Sequence, residues 1–237
     1  MKISLIIPAY NEEKYIGDCL SSIEKYGEGI FEVIVVNNAS TDDTAKVVER
    51  FSKVKLINEN KKGLPFARNR GLSEAKGEIV AFVDADTRIK KGWVENIIKK
   101  FEEDESLISV SGPYFHYDIS LLGQFLTLVY LLVLLWPGYL IMGYMVTLGN
   151  FATRKEYLDR IGGFNNDILF HGDDTYIAKR LHEFGKVKYF LSLRLPSSGR
   201  RLKGEGYLTT TYNYGINFLW VTFKNKPKEN KEYVSIR

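Results

Sequence analysis

Short apolar runs alternate along the first half of the chain with stretches whose apolar residues recur every three or four positions. An apolar run of about 4–8 residues is typical of a buried strand, and the longer spacing is typical of an amphipathic helix. Strands are therefore predicted at 3–7, 31–36, 54–58, 78–86 and 107–112, with helices at 11–26, 44–53, 64–76 and 92–104 between them. This alternation predicts an α/β fold with a Rossmann-like, mainly parallel sheet and helices on both faces.

Polar residues follow three of these strands where they end, at 9–12, 37–40 and 84–86. Ligands of parallel sheets bind beyond the carboxyl ends of the strands, so these loops are expected to share one crevice. No G-x-G-x-x-G follows the first strand and no G-x-x-x-x-G-K-[ST] occurs, so glycine amides are not expected to cradle phosphate. The carboxylates of Asp84 and Asp86 instead predict Mg²⁺ or Mn²⁺, bound together with a substrate diphosphate.

Charge and cysteine content exclude several kinds of function and of site. The 33 basic and 29 acidic residues give a net charge of +4, which is not the balance of a nucleic-acid-binding protein. A single cysteine excludes an internal disulfide and, with three scattered histidines, a Cys/His zinc cluster. The opening "MKISLIIPAYNEE" becomes polar too early for a signal peptide, which predicts a cytoplasmic setting.

Five segments, in order, resemble glycosyltransferase family 2, which has the GT-A fold. They are "SLIIPAYNEE", "VIVVNNASTDDT", "GLPFARNRGLSEAKGEIVAFVDADT", "GNFATRKEYLDRIGGFN" and "HGDDTYIAKRLHEFG". The resemblance covers nearly the whole chain. It implies an enzyme that binds a nucleoside-diphosphate sugar as donor.

The resemblance also implies a set of donor-binding residues. Asp86 would be the main metal ligand, and Asp84 would face the ribose or the metal. Arg68 would reach the nucleotide or its phosphates, although a surface arginine paired with Glu74 or Asp84 is the alternative. Asn37 stands where the family usually has an acid that contacts the base, and it could instead be a turn residue. The remaining residues of the donor pocket would be Pro8, Ala9, Tyr10, Asn11, Glu12, Asn38 and Ala85.

In "HGDDTYIAKRL", Asp174 matches the family's catalytic base and Asp173 the acid before it. An inverting transfer needs a base for the proton of the acceptor hydroxyl. The alternative is that both acids cap the following helix. His171 could be a third metal ligand, but a loop histidine without that role is favoured.

The segment "SSGRRLKGEG" lies where processive relatives carry Gln-x-x-Arg-Trp. Arg201 aligns with that arginine, whereas Leu202 replaces the tryptophan, which argues against processive polymer synthesis. Arg200 and Arg201 would contact the leaving diphosphate or an acceptor phosphate. A solvated basic loop is the alternative.

No charged residue occurs from Ile119 to Thr153. A single membrane crossing would place Asp86 and Asp174 on opposite sides, and two crossings need about forty residues. An in-plane or re-entrant pair of helices, broken at Pro137-Gly138, is therefore predicted. A buried helix or a dimer interface is the alternative.

A second uncharged, aromatic-rich stretch at 206–223 is flanked by "RRLK" and "KNKPK". Aromatic residues and lysines favour a membrane surface, although an ordinary packing helix also fits. The predicted enzyme therefore lies peripherally on the inner face of the cell membrane, and its acceptor is a polyprenyl phosphate, a lipid-linked saccharide or another glycan.

The predicted organisation is a nucleotide-sugar half (1–118), the apolar insertion (119–153), an acceptor half with the catalytic base (154–195) and a basic, aromatic segment (196–237). The leading function is metal-dependent, inverting sugar transfer. A non-catalytic nucleotide-sugar-binding scaffold and a nucleotidyltransferase are the rivals, and a homo-oligomer is left open.

Overall fold

The computed structural model describes residues 1–169 and 171–228, so the last nine residues of the predicted C-terminal segment lie outside the described residues. Within that range a central sheet of seven strands has the order β3-β2-β1-β4-β7-β5-β8, and β6 and β9 form a small second sheet. The strands are β1 (Ile3–Ala9), β2 (Ile30–Asn38), β3 (Val54–Glu59), β4 (Ile79–Val83), β5 (Leu107–Ser111), β6 (Tyr114–His116), β7 (Asn150–Arg154), β8 (Lys186–Tyr189) and β9 (Leu195–Ser197).

Helices cover both faces of the central sheet, as the alternating pattern predicts. They are α1 (Ile16–Tyr26), α2 (Thr44–Val48), α3 (Leu64–Glu74), α4 (Trp93–Glu103), α5 (Leu121–Tyr130), α6 (Trp136–Met142), α7 (Lys155–Arg160), α8 (Asp173–His182), α9 (Arg200–Glu205) and α10 (Tyr207–Lys224). Every residue of β1 is buried, because α1 and α4 pack on one face of the sheet and α3 and α8 on the other.

Strands β1 to β4 are parallel, so their carboxyl ends lie at one edge of the sheet. Strand β7 is antiparallel to both of its neighbours, β4 and β5. The predicted strand 78–86 ends earlier, at Val83, because the Asp84 amide donates to the carbonyl of Gly149 and the Thr87 amide turns back to Asp84. Asp84 and Asp86 therefore lie in a turn beyond the ladder, at the edge where the carboxyl ends of the parallel strands meet.

The apolar insertion differs from the predicted helix pair, since the expected break at Pro137-Gly138 is wrong. One helix runs from Leu121 to Met142 without interruption. A π-helical turn at Leu131–Leu135 precedes the proline, and the Trp136 amide donates to the carbonyl of Leu131, five residues back. The wider turn accommodates a proline ring that would otherwise clash with the preceding turn.

Helix α10 is the predicted aromatic helix, and it packs on the start of α8. The Lys179 ammonium of α8 donates to the carbonyl of Thr222, with N and O 2.7 Å apart. Val221 packs against Gly172, where φ is +92° and an added Cβ would lie 2.6 Å from the Val221 side chain. Glycine is therefore required at 172 by both conformation and space. The four predicted segments of the chain stay a prediction.

Candidate active site

A cavity of about 1110 Å³ opens at the carboxyl edge of β1 and β4. Most residues predicted for the site line it. These are Pro8, Ala9, Tyr10, Glu12, Asn38, Arg68, Asp84, Ala85, Asp86, Asp173, Asp174, Arg200 and Arg201. The predicted donor, metal and base residues are thus brought together from distant parts of the chain, whereas Asn11 and Asn37 are not among the lining residues.

The asparagines at the strand ends hold loops in place. The Asn11 amide oxygen accepts from the backbone amides of Thr41 and Asp42, at 2.7 and 3.3 Å, which ties the β1 loop to the β2 loop. Asn38 accepts from the Gly63 amide at 2.8 Å and so positions the start of α3. The Asn37 side-chain amide donates to the Asn58 side chain at 3.0 Å. In this structure the three asparagines position the loops around the pocket, and of the three Asn38 lines its wall.

Tyr114 and Gly149 hold the Asp84 side chain in place. The Tyr114 hydroxyl donates to Asp84 Oδ2 at 3.0 Å, and the Gly149 backbone passes so close that a Cβ there would overlap both Asp84 Oδ2 and Tyr114 Oη. The Asp84 side chain is 39% exposed. Its carboxylate is therefore held in a fixed direction and still accessible from the cavity.

Asp86 is buried and paired with a cation of the chain. Ser197 Oγ donates to Asp86 Oδ1 at 3.1 Å, and Arg200 Nε lies 3.1 Å from Asp86 Oδ2. The same guanidinium donates to both carboxylate oxygens of Glu12, at 2.8 and 2.5 Å. Burial raises the pKa of Asp86 to about 7, with Arg200 opposing this and Asp84 adding to it. Burial likewise raises the pKa of Glu12, again opposed by Arg200.

Arg68 is a buried cation and not a surface residue, so the surface alternative for Arg68 is wrong. Its side chain is 4% exposed, and its Nη1 lies 2.6 Å from Asp173 Oδ2. Its Nη2 lies 4.0 Å from Asp84 Oδ1. The guanidinium therefore links the carboxylates at the strand end to those at the start of α8.

Asp174 occupies the first turn of α8, beside Asp173. The Leu148 amide donates to Asp174 Oδ1 at 3.0 Å, and the Asp174 amide donates to Asp173 Oδ1 at 3.0 Å. Burial, followed by the neighbouring Asp173 charge, raises the pKa of Asp174 to about 8, and Arg68 opposes this. Capping and chemistry are compatible here, since the helix start holds a proton-accepting carboxylate in a fixed place.

The two aspartates at the strand end fit a hard divalent cation. Within residues 1–169 and 171–228, no three His, Cys, Asp or Glu side chains form a ready metal cluster. Mg²⁺ and Mn²⁺ do not require one, because they commonly take one or two protein carboxylates and complete their shell with phosphate oxygens and water. Asp84 and Asp86 supply that carboxylate set on the cavity wall.

Beyond Asp174 the cavity becomes apolar and runs between two helices. Its wall there is formed by α5, with Gln124, Phe125 and Leu128, and by α10, with Thr211 and Phe218. Tyr130 of α5 lies within reach of the Asp174 charge: burial, and then this charge, raise the pKa of the phenol to about 12. Asp174 is thus located where the acidic and apolar ends of the cavity meet.

Three further residues named from the sequence, His171, Arg200 and Arg201, are buried or partly enclosed in the structure. His171 is buried and packs edge-to-face on Tyr214, with ring centroids 5.4 Å apart, and it is not among the residues that line the cavity. Arg201 lines the cavity and donates to Glu205 at 2.6 Å. Arg200 and Arg201 are therefore half-enclosed ion-paired residues in this structure and not a solvated loop.

The sequence reasoning missed Tyr114, Gly149 and Ser197. Gly149 lies in a segment that carries the family resemblance, so its position was a usable signal. Tyr114 and Ser197 come from the small β6–β9 sheet, whose three-residue strands give no periodic pattern. Only the fold shows that this sheet supports Asp84 and Asp86.

Comparison with known proteins identifies the family of the chain. The family model described as "Glycosyl transferase family 2" matches residues 4–162. "Glycosyltransferase GlyA" of Streptococcus pneumoniae serotype 4 is 37% identical over 123 residues, which are 50% of this chain and 18% of GlyA. The chain therefore spans a small part of that relative.

Solved structures share the fold at low sequence identity. A mannosyltransferase, PcManGT from Pyrobaculum calidifontis with GDP-Man and Mn²⁺, has a TM-score of 0.73 at 22% identity, covering 95% of this chain and 65% of that one. Residues 1–349 of TarS from S. aureus with UDP have a TM-score of 0.66 at 22% identity, covering 95% and 73%. The predicted GT-A fold is confirmed.

Proposed function

The chain belongs to glycosyl transferase family 2, and from this premise we propose that it transfers a sugar, with inversion, from a nucleoside-diphosphate sugar to a lipid-linked acceptor. The observation that carries this proposal is the single cavity that joins Asp84 and Asp86 to the apolar groove between α5 and α10, with Asp174 at the junction. The two substrates would meet at that junction, each entering from the end that suits its chemistry.

The acidic end is proposed to bind the donor. Asp84 and Asp86 would hold Mg²⁺ or Mn²⁺, and a cation there would offset the negative charge that grows on the leaving diphosphate. The pairing of a nucleotide sugar with Mn²⁺ in PcManGT and of UDP with TarS supports this assignment. Pro8, Ala9, Tyr10 and Asn38 would enclose the nucleoside.

Asp174 is proposed to be the general base. The acceptor hydroxyl oxygen would form a bond to the anomeric carbon as the bond from that carbon to the diphosphate oxygen breaks. Its proton would pass to the Asp174 carboxylate, and the nucleoside diphosphate would leave with the electron pair. A base with a pKa raised to about 8 is a stronger proton acceptor than an ordinary aspartate, which suits this task.

The apolar end is proposed to take the hydrocarbon part of the acceptor. Helix Leu121–Met142 is long and apolar enough to cross a membrane by length and composition, and it is the one such helix in the described part of the chain. Both of its ends rest on the same α/β domain. Just before its start Asp118 accepts from the Gly199 amide at 2.6 Å, and just after its end Gly143 lies beside His182 of α8. This geometry favours a helix lying along a membrane surface over one projecting through it.

The outer faces of this helix and of α10 present large apolar side chains to solvent. Leu121 and Ile141 are 83% and 82% exposed, and Leu208 of α10 is 87% exposed. Exposed lysines follow at the end of α10, at Lys224 and Lys226. An exposed apolar face with neighbouring lysines fits an anionic bilayer, where each lysine near the surface contributes about 1 kcal/mol. We therefore propose a peripheral position on the cytoplasmic face of the membrane.

Calorimetry of UDP, GDP and dTDP with Mn²⁺, and then with EDTA, tests the donor site. Wild type is expected to bind one of these nucleotides with a requirement for metal, and Asp86→Asn is expected to weaken that binding at least tenfold. Binding that ignores both the metal and Asp86 would contradict the metal assignment. Binding of none of the three would favour a scaffold.

Sedimentation with vesicles that contain about 30% phosphatidylglycerol tests the membrane face. Ile141→Asp combined with Leu208→Asp is expected to abolish co-sedimentation. Phe31→Asp is the matched control, because Phe31 is also an exposed apolar residue, at 47%, but lies at the start of β2, away from the apolar helices. Equal binding of the double variant and wild type would refute the assignment of this face.

A further inference from the structure

Asp86, one of the two carboxylates predicted to hold metal, is already paired with a cation of the chain in this structure. Arg200 donates to both oxygens of Glu12, and its Nε lies 3.1 Å from Asp86 Oδ2. The Tyr15 ring packs against the guanidinium, with the central carbon 4.7 Å from the ring centroid. The Arg200 side chain is 15% exposed and that of Asp86 is 10% exposed. This is a built, largely enclosed ion cluster and not a chance surface pair.

Both oxygens of Asp86 are engaged, one by Arg200 and the other by the Ser197 hydroxyl. A divalent cation binds a carboxylate oxygen at about 2.0–2.2 Å. A metal at Asp86 Oδ2 would therefore lie within a few ångströms of a guanidinium of the same sign of charge, in a site largely closed to water. Metal and Arg200 are thus expected to compete for Asp86.

A nucleoside diphosphate would supply a new partner for the displaced arginine. Arg200 lies on the cavity wall at the first residue of α9, and a guanidinium fits phosphate oxygens in a two-pronged arrangement. The diphosphate also brings the oxygen ligands that a metal with one or two carboxylates still needs. The exchange gives Asp86 and Arg200 each a new partner of opposite charge, since the metal takes Asp86 and the diphosphate takes Arg200.

We propose that Arg200 is an internal cation that excludes divalent metal from Asp86 until a nucleoside diphosphate is bound. This inference rests on the proposed function and adds an order to it, because metal and diphosphate would enter the site together and not one after the other. Arg200 would be a positioning residue, which acts on the metal through Asp86.

Mn²⁺ binding, measured by electron paramagnetic resonance without nucleotide, tests the proposal directly and needs no knowledge of the sugar or acceptor. Arg200→Gln is expected to bind Mn²⁺ at least tenfold more tightly than wild type when nucleotide is absent. With 1 mM UDP, GDP or dTDP present the advantage should disappear, because wild type then binds metal as well. Arg200→Lys should stay closer to wild type, since it keeps the charge.

Arg88→Gln is the matched control. It removes the same charge two residues from Asp86, yet Arg88 pairs with Asp18, outside the site. Its Mn²⁺ affinity without nucleotide should equal that of wild type, and circular dichroism should show that all variants are folded. If Arg200→Gln misfolds, Arg200→Lys is compared with wild type instead, with and without nucleotide. The lysine variant should then bind Mn²⁺ measurably more tightly than wild type without nucleotide, because lysine cannot pair with Glu12 and Asp86 together.

Two failures can be told apart. If wild type requires nucleotide for Mn²⁺ binding but Arg200→Gln shows the same weak nucleotide-free affinity, the role of Arg200 is overturned and the donor site stands. If neither protein binds Mn²⁺ with any of the three nucleotides, the metal part of the proposed function fails together with this inference.

Discussion

Removing the buried cation Arg68 should destabilise the protein through Asp173. Arg68→Met keeps most of the aliphatic stem but removes a guanidinium whose Nη1 lies 2.6 Å from Asp173 Oδ2. Both side chains are enclosed, at 4% and 17% exposure. The Asp173 carboxylate would then be left in a poorly hydrated site beside a second acid, Asp174, and without this guanidinium.

Protonation of Asp173 limits how much stability the Arg68→Met variant can lose. Breaking one side of a buried ion pair costs about 3–5 kcal/mol. The uncompensated carboxyl can instead take up a proton, which at pH 7 costs at most about 4 kcal/mol, the value for a group with an ordinary pKa of about 3.9. Burial already raises the pKa of Asp173 while Arg68 is present, so the ceiling is lower than this value. The folded-state pKa of Asp173 is then above its unfolded-state pKa, so the penalty is present at high pH and decreases as the pH falls. At pH 5 the ceiling is about 1.5 kcal/mol.

Urea denaturation at pH 5, 7 and 8 measures these values. We expect Arg68→Met to lose about 2–3 kcal/mol at pH 7 and about half of that or less at pH 5, and Asp173→Asn to restore most of the loss in the double variant. Arg70→Met, on the exposed side of the same helix, should lose under about 0.5 kcal/mol. A loss below about 1 kcal/mol at pH 7, or one that does not change with pH, would refute the reasoning.

Three further predictions concern the site. Asp174→Asn should reduce the transfer rate by about 10²–10⁴-fold without weakening donor binding. In wild type the rate should rise about tenfold per pH unit up to about pH 8, because the base acts in its deprotonated form and its pKa is about 8. A flat rate profile from pH 6 to 8 would contradict this role. Gly149→Ala should weaken metal-dependent nucleotide binding about 10–100-fold in calorimetry, since the new methyl group displaces the Asp84 carboxylate by roughly 1 Å. The control variant Gly215→Ala has open space around the new methyl group and should bind nucleotide as wild type does. Tyr114→Phe should reduce the same affinity by about 3–10-fold through loss of one hydrogen bond to Asp84, and unchanged affinity would show that Tyr114 does not position this acid.

The buried strands of the sheet and the acidic residues at their ends could be predicted from local sequence patterns. The apolar runs of β1, β2 and β4 are each long enough to identify a buried strand, and the two aspartates after β4 mark the mouth of the site. Asp174 was predicted from resemblance and lies on the same cavity. The roles of these residues remain predictions, but their convergence is a property of the structure.

Other features depend on contacts that no local pattern encodes. Arg68 is separated by 105 residues from Asp173, so its burial depends on how α8 docks. Arg200 meets Glu12 across 188 residues. The continuous apolar helix also could not be predicted, because proline usually breaks a helix and only the preceding π-helical turn removes the conflict.

The position of β7 in the sheet has a consequence for biosynthesis. Strand β7 separates β4 from β5, yet it follows the apolar helix in the chain. The ribosome therefore releases the whole of Leu121–Met142 before the sheet can close, and until then β4 and β5 each present an unpaired edge. The nascent chain therefore carries an exposed apolar helix and open strand edges at the same time, which is the state in which it is most prone to aggregate.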